Sequence, residues 1–412
     1  MAAETSTARP GTTLGLIGAG HLMSHFWQLT LPPLFPVLAV VFHVNFLQLG
    51  LLMTGYTVAN AACQVPFGYL ADRYGPKPIL VGGLLLDGVA FSLCALAPNY
   101  AVLVVLVMLA GVGQAVYHPS DYAILSALFP RERAGKPYSI HTFTGYAGGA
   151  VAPIAIASLN RAFGWQVALV VAGLLGIVVA LIVATTLTAP RLEAPVPAPA
   201  TAGAARAPRG QGLRLLISQA LLLLLGFFVF TSMFSSGLQS FLPTTLTKLY
   251  PVTIDRANVV LTVYLTALAL SVLVGGVIAD RVQNHARVIA VSFAAGMVLM
   301  FLIALVHLPI WAIFPLFALV GALQGVVMPS RDKMVREATP EGSAGKSFGF
   351  VSVGLSLGGI VSLPLLGALL DRGDPRVIFW VLALCILAAA LTVLVTSLPG
   401  HARSRAGERL SA

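Results

Sequence analysis

The sequence predicts an all-α membrane protein with twelve transmembrane helices in two pseudo-symmetric six-helix bundles. Three observations carry this. Hydrophobic residues make up 58% of the 412 and charged residues only 9%, against about 25% charged in a soluble domain. No soluble core hides that much apolar surface. Twelve apolar windows reach the roughly 20 residues that a helix needs to cross a bilayer. Short motifs of the first half recur in the second at a nearly constant offset.

The windows fall near 14–41, 46–71, 78–97, 100–129, 136–160 and 165–189, then 213–246, 256–280, 286–307, 310–336, 344–370 and 375–399. Between the sixth and seventh lies a stretch rich in Pro, Ala and Arg, a composition that cannot pack and reads as a linker. The expected plan is a tail (1–13), a first bundle (14–189), a linker (190–212), a second bundle (213–399) and a second tail (400–412). The first tail is polar, and the apolar run after it exceeds a signal-peptide core, so no cleavage is expected.

Lys and Arg set the orientation. With the N-terminus inside, 19 of the 24 fall on the cytoplasmic side, among them Arg73, Lys77, Arg131, Arg133, Lys136 and Arg331. Both tails are therefore expected in the cytoplasm. The net charge of +10 then reflects topology, and no nucleic-acid partner is expected. Gly164-Trp165 marks a helix start at an interface, where an indole anchors well. Cys63, Cys94 and Cys385 lie in apolar runs and read as small core residues.

The repeat is specific. Gly68-Tyr-Leu-Ala-Asp72-Arg73-Tyr-Gly75-Pro-Lys77 follows the second window, and Gly276-Val-Ile-Ala-Asp280-Arg281 follows the eighth. Gln28 and Pro32 match Gln239 and Pro243. Gly111, Gln114, Pro119 and Ser120 match Gly321, Gln324, Pro329 and Ser330. Ala134-Gly135-Lys136 matches Ala344-Gly345-Lys346, and Gly148-Gly149 matches Gly358-Gly359. Offsets stay between 208 and 211 residues, which confines insertions to loops. Two parallel repeats enclosing a midplane site are a transporter architecture.

The charged loop strings resemble the loop motif between helices 2 and 3, and its degenerate copy between helices 8 and 9, of the major facilitator superfamily. Gly20-His21, the first loop, and Gly111-Val-Gly-Gln-Ala-Val-Tyr-His118-Pro119-Ser-Asp121 look like that superfamily's fosmidomycin-resistance branch. The resemblance implies a major facilitator fold and a multi-pass exporter of the bacterial inner membrane, proton-driven. Three departures stand out. Drug exporters commonly carry Arg where this chain has Val107, and their fifth-helix Gly-Pro signature is reduced here to Gly145, Gly148, Gly149 and a displaced Pro153. Helix 1 also lacks a carboxylate.

Ionisable groups inside a bilayer helix are costly and normally face a cavity or a partner. His21, His25 and Gln28 share one face of helix 1 at i, i+4, i+7. Gln114, His118 and Asp121 share a face of helix 4, and His141, Gly145 and Gly148 a face of helix 5. His21, His25, His118, Asp121 and His141 form the candidate proton site, since histidine titrates near neutral pH and a nearby carboxylate tunes it. The plain alternative is that each histidine stays neutral and bonds a carbonyl. Metal is not expected, because no Glu follows the first His of the i, i+4 pair.

The expected substrate lining is Gln28, Gln114, Tyr117, Ser236, Gln239 and Gln324. At an offset of 210, Asp121 superposes on Arg331, which suggests a cytoplasmic gate formed by that pair; the plain alternative makes Arg331 part of a solvated helix end. Gly68, Asp72, Arg73, Gly75, Lys77, Asp280 and Arg281 read as a conformational latch, with Asp72 accepting from a helix N-terminus. The resemblance places that partner near Gly342 to Gly345. Asp87 reads as locally hydrogen-bonded.

The expected function is secondary transport of a small polar or anionic compound, with protons and membrane lipids as further partners, no cofactor and a monomeric chain. The sequence holds no phosphate-binding loop for ATP and no nucleophile–base pair for an enzyme. Uptake of an organic anion is the second reading. A sensor or assembly factor that kept the fold is the third.

Overall fold

The computed structural model describes residues 10–129, 135–188, 218–339 and 344–396. The predicted linker, the second tail and most of the first lie outside them.

The first predicted span is interrupted. It consists of α1 (Pro10–Gln28), a 3-10 turn (Pro32–Leu34) and α2 (Phe35–Val41). Pro32 and Pro33 supply no N–H to continue α1. Leu29 and Thr30 instead close i→i−3 bonds to Phe26 and Trp27. α3 (Phe46–Tyr74) opens on a capping box, in which Asn45 accepts from the Gln48 N–H and Gln48 returns the bond. α4 (Pro76–Cys94) follows after Gly75.

The fourth predicted span is also split, into α5 (Tyr100–Gln114) and α6 (Tyr117–Leu128). Pro119 cannot donate to Ala115, four residues back. Ala115 and Val116 donate instead to the carbonyls of Val112 and Gly113, so the α-helical bonding gives way to a tighter turn just after Gln114. α7 (Gly135–Phe163) and α8 (Trp165–Thr186) complete the first half.

The second half holds α9 (Gln219–Leu249), α10 (Ile254–Arg281), α11 (His285–Leu305), α12 (Ile310–Glu337), α13 (Ala344–Asp371) and α14 (Arg376–Thr396). Among the described residues, ten spans, with α5 and α6 taken together, are apolar and long enough by themselves to cross a membrane. The other two are the interrupted first span and α3, which carries Gln48, Asn60 and Gln64. The architecture is the predicted all-α membrane protein with twelve spans. α8 carries Leu174, Leu175, Val178, Leu181 and Ile182 exposed on its outer face, a surface suited to lipid rather than water.

Two compact units form. One holds the described residues up to 188 with Thr253–Thr262, and the other holds those of 218–252 and from Val263 onward. Packing repeats between them. α1 lies on α7 as α9 lies on α13, α4 on α8 as α11 on α14, and α4 on α5 as α11 on α12. Repeated glycines are the contact points. A Cβ on Gly148 would stand 2.0 Å from the Leu22 carbonyl oxygen, and one on Gly358 would stand 2.3 Å from that of Val229. Gly111 meets Tyr56 and Gly321 meets Tyr264 in the same way, at 2.3 and 2.1 Å. At these positions only glycine lets two helix backbones touch.

Candidate functional site

Three helices of the first unit deliver the predicted ionisable residues to one place. α1 brings His21 and His25, α6 brings His118 and Asp121, and α7 brings His141. Gly145 makes the room: a Cβ there would sit 2.7 Å from the His21 ring and 2.8 Å from that of His25. One turn further on, Gly148 presses α7 against the α1 backbone, so both imidazoles are held against α7.

His21 is the hub. Its ring centroid lies 3.9 Å from that of His141, stacked, and 4.8 and 5.5 Å from those of His25 and His118, edge-on. Asp121 Oδ2 lies 3.6 Å from His21 Nδ1 and 3.5 Å from His141 Nε2. Asp121 and His141 are fully buried and His21 nearly so. These separations exceed a hydrogen bond's usual 2.7–3.2 Å or so. Neither oxygen of Asp121 has a hydrogen-bond partner among the described residues. The result is a buried carboxylate between two imidazoles with its hydrogen-bonding capacity unused.

The coordinating atoms of His21, Asp121 and His141 lie within 4.8 Å of one another, a spacing a divalent cation accepts. The sequence brought these three residues together as part of the proton site but weighed only His21 and His25 as metal ligands, because Asp121 and His141 arrive from other helices. A metal-bound imidazole ordinarily has its second nitrogen held by a partner. Nδ1 of His141 has none among the described residues, so the shell that would orient this ring toward a metal is missing.

Tyr117, expected in the substrate lining, is fully buried and donates its hydroxyl to Asp87 Oδ2 at 2.9 Å. The partner of Asp87 is thus a residue of α6, 30 positions away, and not a local group. Gln114 is buried, with its carbonyl oxygen unpartnered. Gln28, Ser236 and Gln239 are half-buried. In the second unit, Gln324 accepts from the Tyr264 hydroxyl, while Ser232 lies 3.5 Å from Ser236 and donates to the Leu355 carbonyl. Tyr56 and Tyr264 were not singled out from the sequence, although they repeat at an offset of 208 beside the Gln114/Gln324 pair.

The gate residues each have neighbours in their own unit. Asp121 lies between His21 and His141. Arg331 donates to Asp332 at 2.9 Å, and its guanidinium lies 4.8 Å from the centroid of the Phe228 ring.

The loop motif forms as a tight junction. Gly75 has φ 90°, a left-handed value that favours glycine, and Pro76 starts α4 where its missing N–H costs nothing. Gly68 packs toward Pro119, Asp72 and Arg73 are exposed, and Lys77 is half-buried. The expected partner of Asp72 falls at Gly342 to Gly345, partly outside the described residues. In the second copy, Asp280 accepts from Lys333 Nζ at 2.8 Å, and the same ammonium donates to the Ala279 carbonyl at 2.7 Å. Arg281 ends α10, exposed. Lys333 was not foreseen in this role, since its counterpart in the first half is Ala123.

A family profile described as "Major Facilitator Superfamily" matches residues 17–251 and 233–411. A fosmidomycin resistance protein of Escherichia coli is 28% identical over 185 residues, 43% of this chain and 45% of that protein. A probable sulfoacetate transporter of Cupriavidus necator is 27% identical over 160 residues, 39% of this chain and 37% of that protein. The chain thus matches less than half the length of either relative. The solved structure of the nucleoside transporter NupG superposes with a TM-score of 0.75 at 14% identity, covering 94% of this chain and all of that one; at that identity the likeness is one of fold.

Proposed function

This chain belongs to the major facilitator superfamily, and from that membership we propose that it is a secondary active transporter. It moves a small polar or anionic compound across the bacterial inner membrane by alternating access, with proton-coupled efflux as the working mode. The chain works as a monomer with both tails in the cytoplasm. It is a transporter-class protein, not an enzyme.

The observation that carries the coupling is Asp121, buried between His21 and His141 with both oxygens unpartnered. A buried carboxylate without hydrogen bonds is expensive. A proton relieves the cost by removing the charge or by making an adjacent imidazole cationic. Either change alters the interaction of α6 with α1 and α7, which is how proton binding biases a conformational equilibrium. The relatives named for fosmidomycin and for sulfoacetate support a small polar substrate. The sulfoacetate relative also favours a second reading, uptake of an organic anion by the same fold.

The test uses purified protein in liposomes with an internal pH dye, challenged with fosmidomycin, sulfoacetate and simple carboxylates. Proton movement triggered by one compound, and lost in Asp121→Asn or His25→Ala, is the expected result. Substrate flux without proton movement would leave transport standing and make the histidine cluster structural. Silence to the whole panel would favour the non-transporting sensor.

A further inference from the structure

We propose that Asp87 is a second proton-carrying carboxylate, held by the Tyr117 hydroxyl. This rests on the proton-coupled reading above and extends it to a residue outside the histidine cluster.

The comparison between repeats isolates the feature. Gly88 packs on Ile177 and Gly296 packs on Ile386, which aligns α4 with α11 and sets Asp87 opposite Ala295. Tyr117 aligns with Val327, Tyr56 with Tyr264 and Gln114 with Gln324. In the second unit, where Ala295 and Val327 bring nothing polar, the Tyr264 hydroxyl donates to Gln324. In the first unit the equivalent bond is not made: the Tyr56 hydroxyl and the Gln114 carbonyl oxygen are both buried and have no partner among the described residues. The Tyr117 hydroxyl donates to Asp87 Oδ2, while Asp87 Oδ1 has no partner. The first repeat has thus gained an acid and a phenol, and with them three unsatisfied buried atoms. Stability alone gives no reason to hold Asp87 there, since the second repeat makes the same helix contacts without it.

Asp87 is enclosed. A Cβ on Gly113 would lie 3.0 Å from its carboxyl carbon, so α5 faces it with glycine backbone. α8 brings Gly173 and Ile177 against the neighbouring Gly88, and α1 brings Gly20 against Leu84. The titratable groups facing Asp87 are Tyr56 from α3 and Tyr117 from α6. Asp121 stands one turn beyond Tyr117 on α6, at i+4 and so on the same face, with no hydrogen bond to it among the described residues.

This arrangement lets Asp87 take up a proton. Protonation removes its buried charge while the Tyr117 hydroxyl stays on Oδ2, and the acid gains an O–H at Oδ1, which has no partner among the described residues.

Infrared difference spectroscopy of the purified full-length protein, titrated with pH, tests this without knowledge of the substrate. Protonated carboxyls absorb above the amide bands. Two pH-sensitive carboxyl bands are expected, one lost in Asp87→Asn and the other in Asp121→Asn. Tyr117→Phe, which keeps the ring and removes the donor, is expected to shift the Asp87 band. An unchanged carboxyl spectrum in Asp87→Asn, in a protein that still shows the Asp121 band, would overturn the proposal and leave the proton reading intact. Absence of both bands in the wild type would overturn both. Should Asp87→Asn fail to fold, an unmoved spectrum in Tyr117→Phe would count against the proposal.

Discussion

Asp121 Oδ2 lies 3.6 Å from His21 Nδ1. Gly148 meets the Leu22 carbonyl as Gly358 meets that of Val229, which sets His21 opposite Phe228, and here too the pair meets: the Arg331 guanidinium lies 4.8 Å from the centroid of the Phe228 ring. Each pair joins the first helix of its unit to the end of the fourth. The fold supplies one contact twice, and the sequence fills it with an acid and an imidazole in one unit and a cation on an aromatic face in the other. Ionisable chemistry that responds to protons is thus confined to the first unit at this position.

Asp121→Asn keeps the shape of the side chain and removes its charge. In the liposome assay it is expected to abolish substrate-driven proton movement while substrate exchange between equal pools persists. Loss of exchange with retained folding would show that Asp121 binds the substrate itself.

The gate proposed for Asp121 and Arg331 predicts that Asp121→Asn and Arg331→Gln each impair net transport, and that exchanging the two charges restores part of it. An unimpaired Arg331→Gln protein would remove the gate and leave Arg331 with Asp332 and Phe228 as a local cluster.

Glycine substitutions separate packing from function. Gly148→Ala drives a methyl to 2.0 Å from a backbone oxygen, which cannot yield, and it should destabilise by at least the roughly 1–3 kcal/mol typical of overpacking. Gly145→Ala meets the edges of two imidazoles, so it should perturb proton movement with a smaller loss in thermal midpoint. Gly349→Ala has open space around the new methyl and should be neutral or stabilising by up to about 1 kcal/mol. Thermal unfolding in detergent ranks the three.

Tyr264→Phe strands a buried Gln324 oxygen and should cost about 1–3 kcal/mol. Tyr56→Phe removes a hydroxyl that makes no bond and should cost less, or even stabilise. Equal losses in the two variants would show that the Tyr56 hydroxyl is satisfied in the membrane-embedded protein.

Lys333→Met leaves Asp280 without its ammonium and the Ala279 carbonyl without its donor. The variant should unfold at a lower temperature than wild type, with Lys333→Arg close to wild type. Because the pair is exposed, high salt should shrink the difference. A difference that salt leaves unchanged would place the effect in packing.

The sequence by itself determined the membrane class, the twelve spans, the twofold repeat and the superfamily, because these rest on composition and on residues adjacent along the chain. It also identified the residues of the histidine cluster, since i, i+4 spacing on a helix is legible locally. It read the first and fourth spans as continuous helices, although Pro32, Pro33 and Pro119 were in view, because apolar content alone does not show whether a helix bends or breaks at proline. The tertiary structure decided which faces meet. It put His21 at the centre of the cluster, gave Asp121 two imidazoles from different helices, turned Tyr117 toward Asp87 and paired Asp280 with Lys333. Helical periodicity fixes a side chain's direction about its own axis. The partner it reaches depends on how closely neighbouring helices approach, and glycines such as Gly145 and Gly148 set that distance only once the helices have packed.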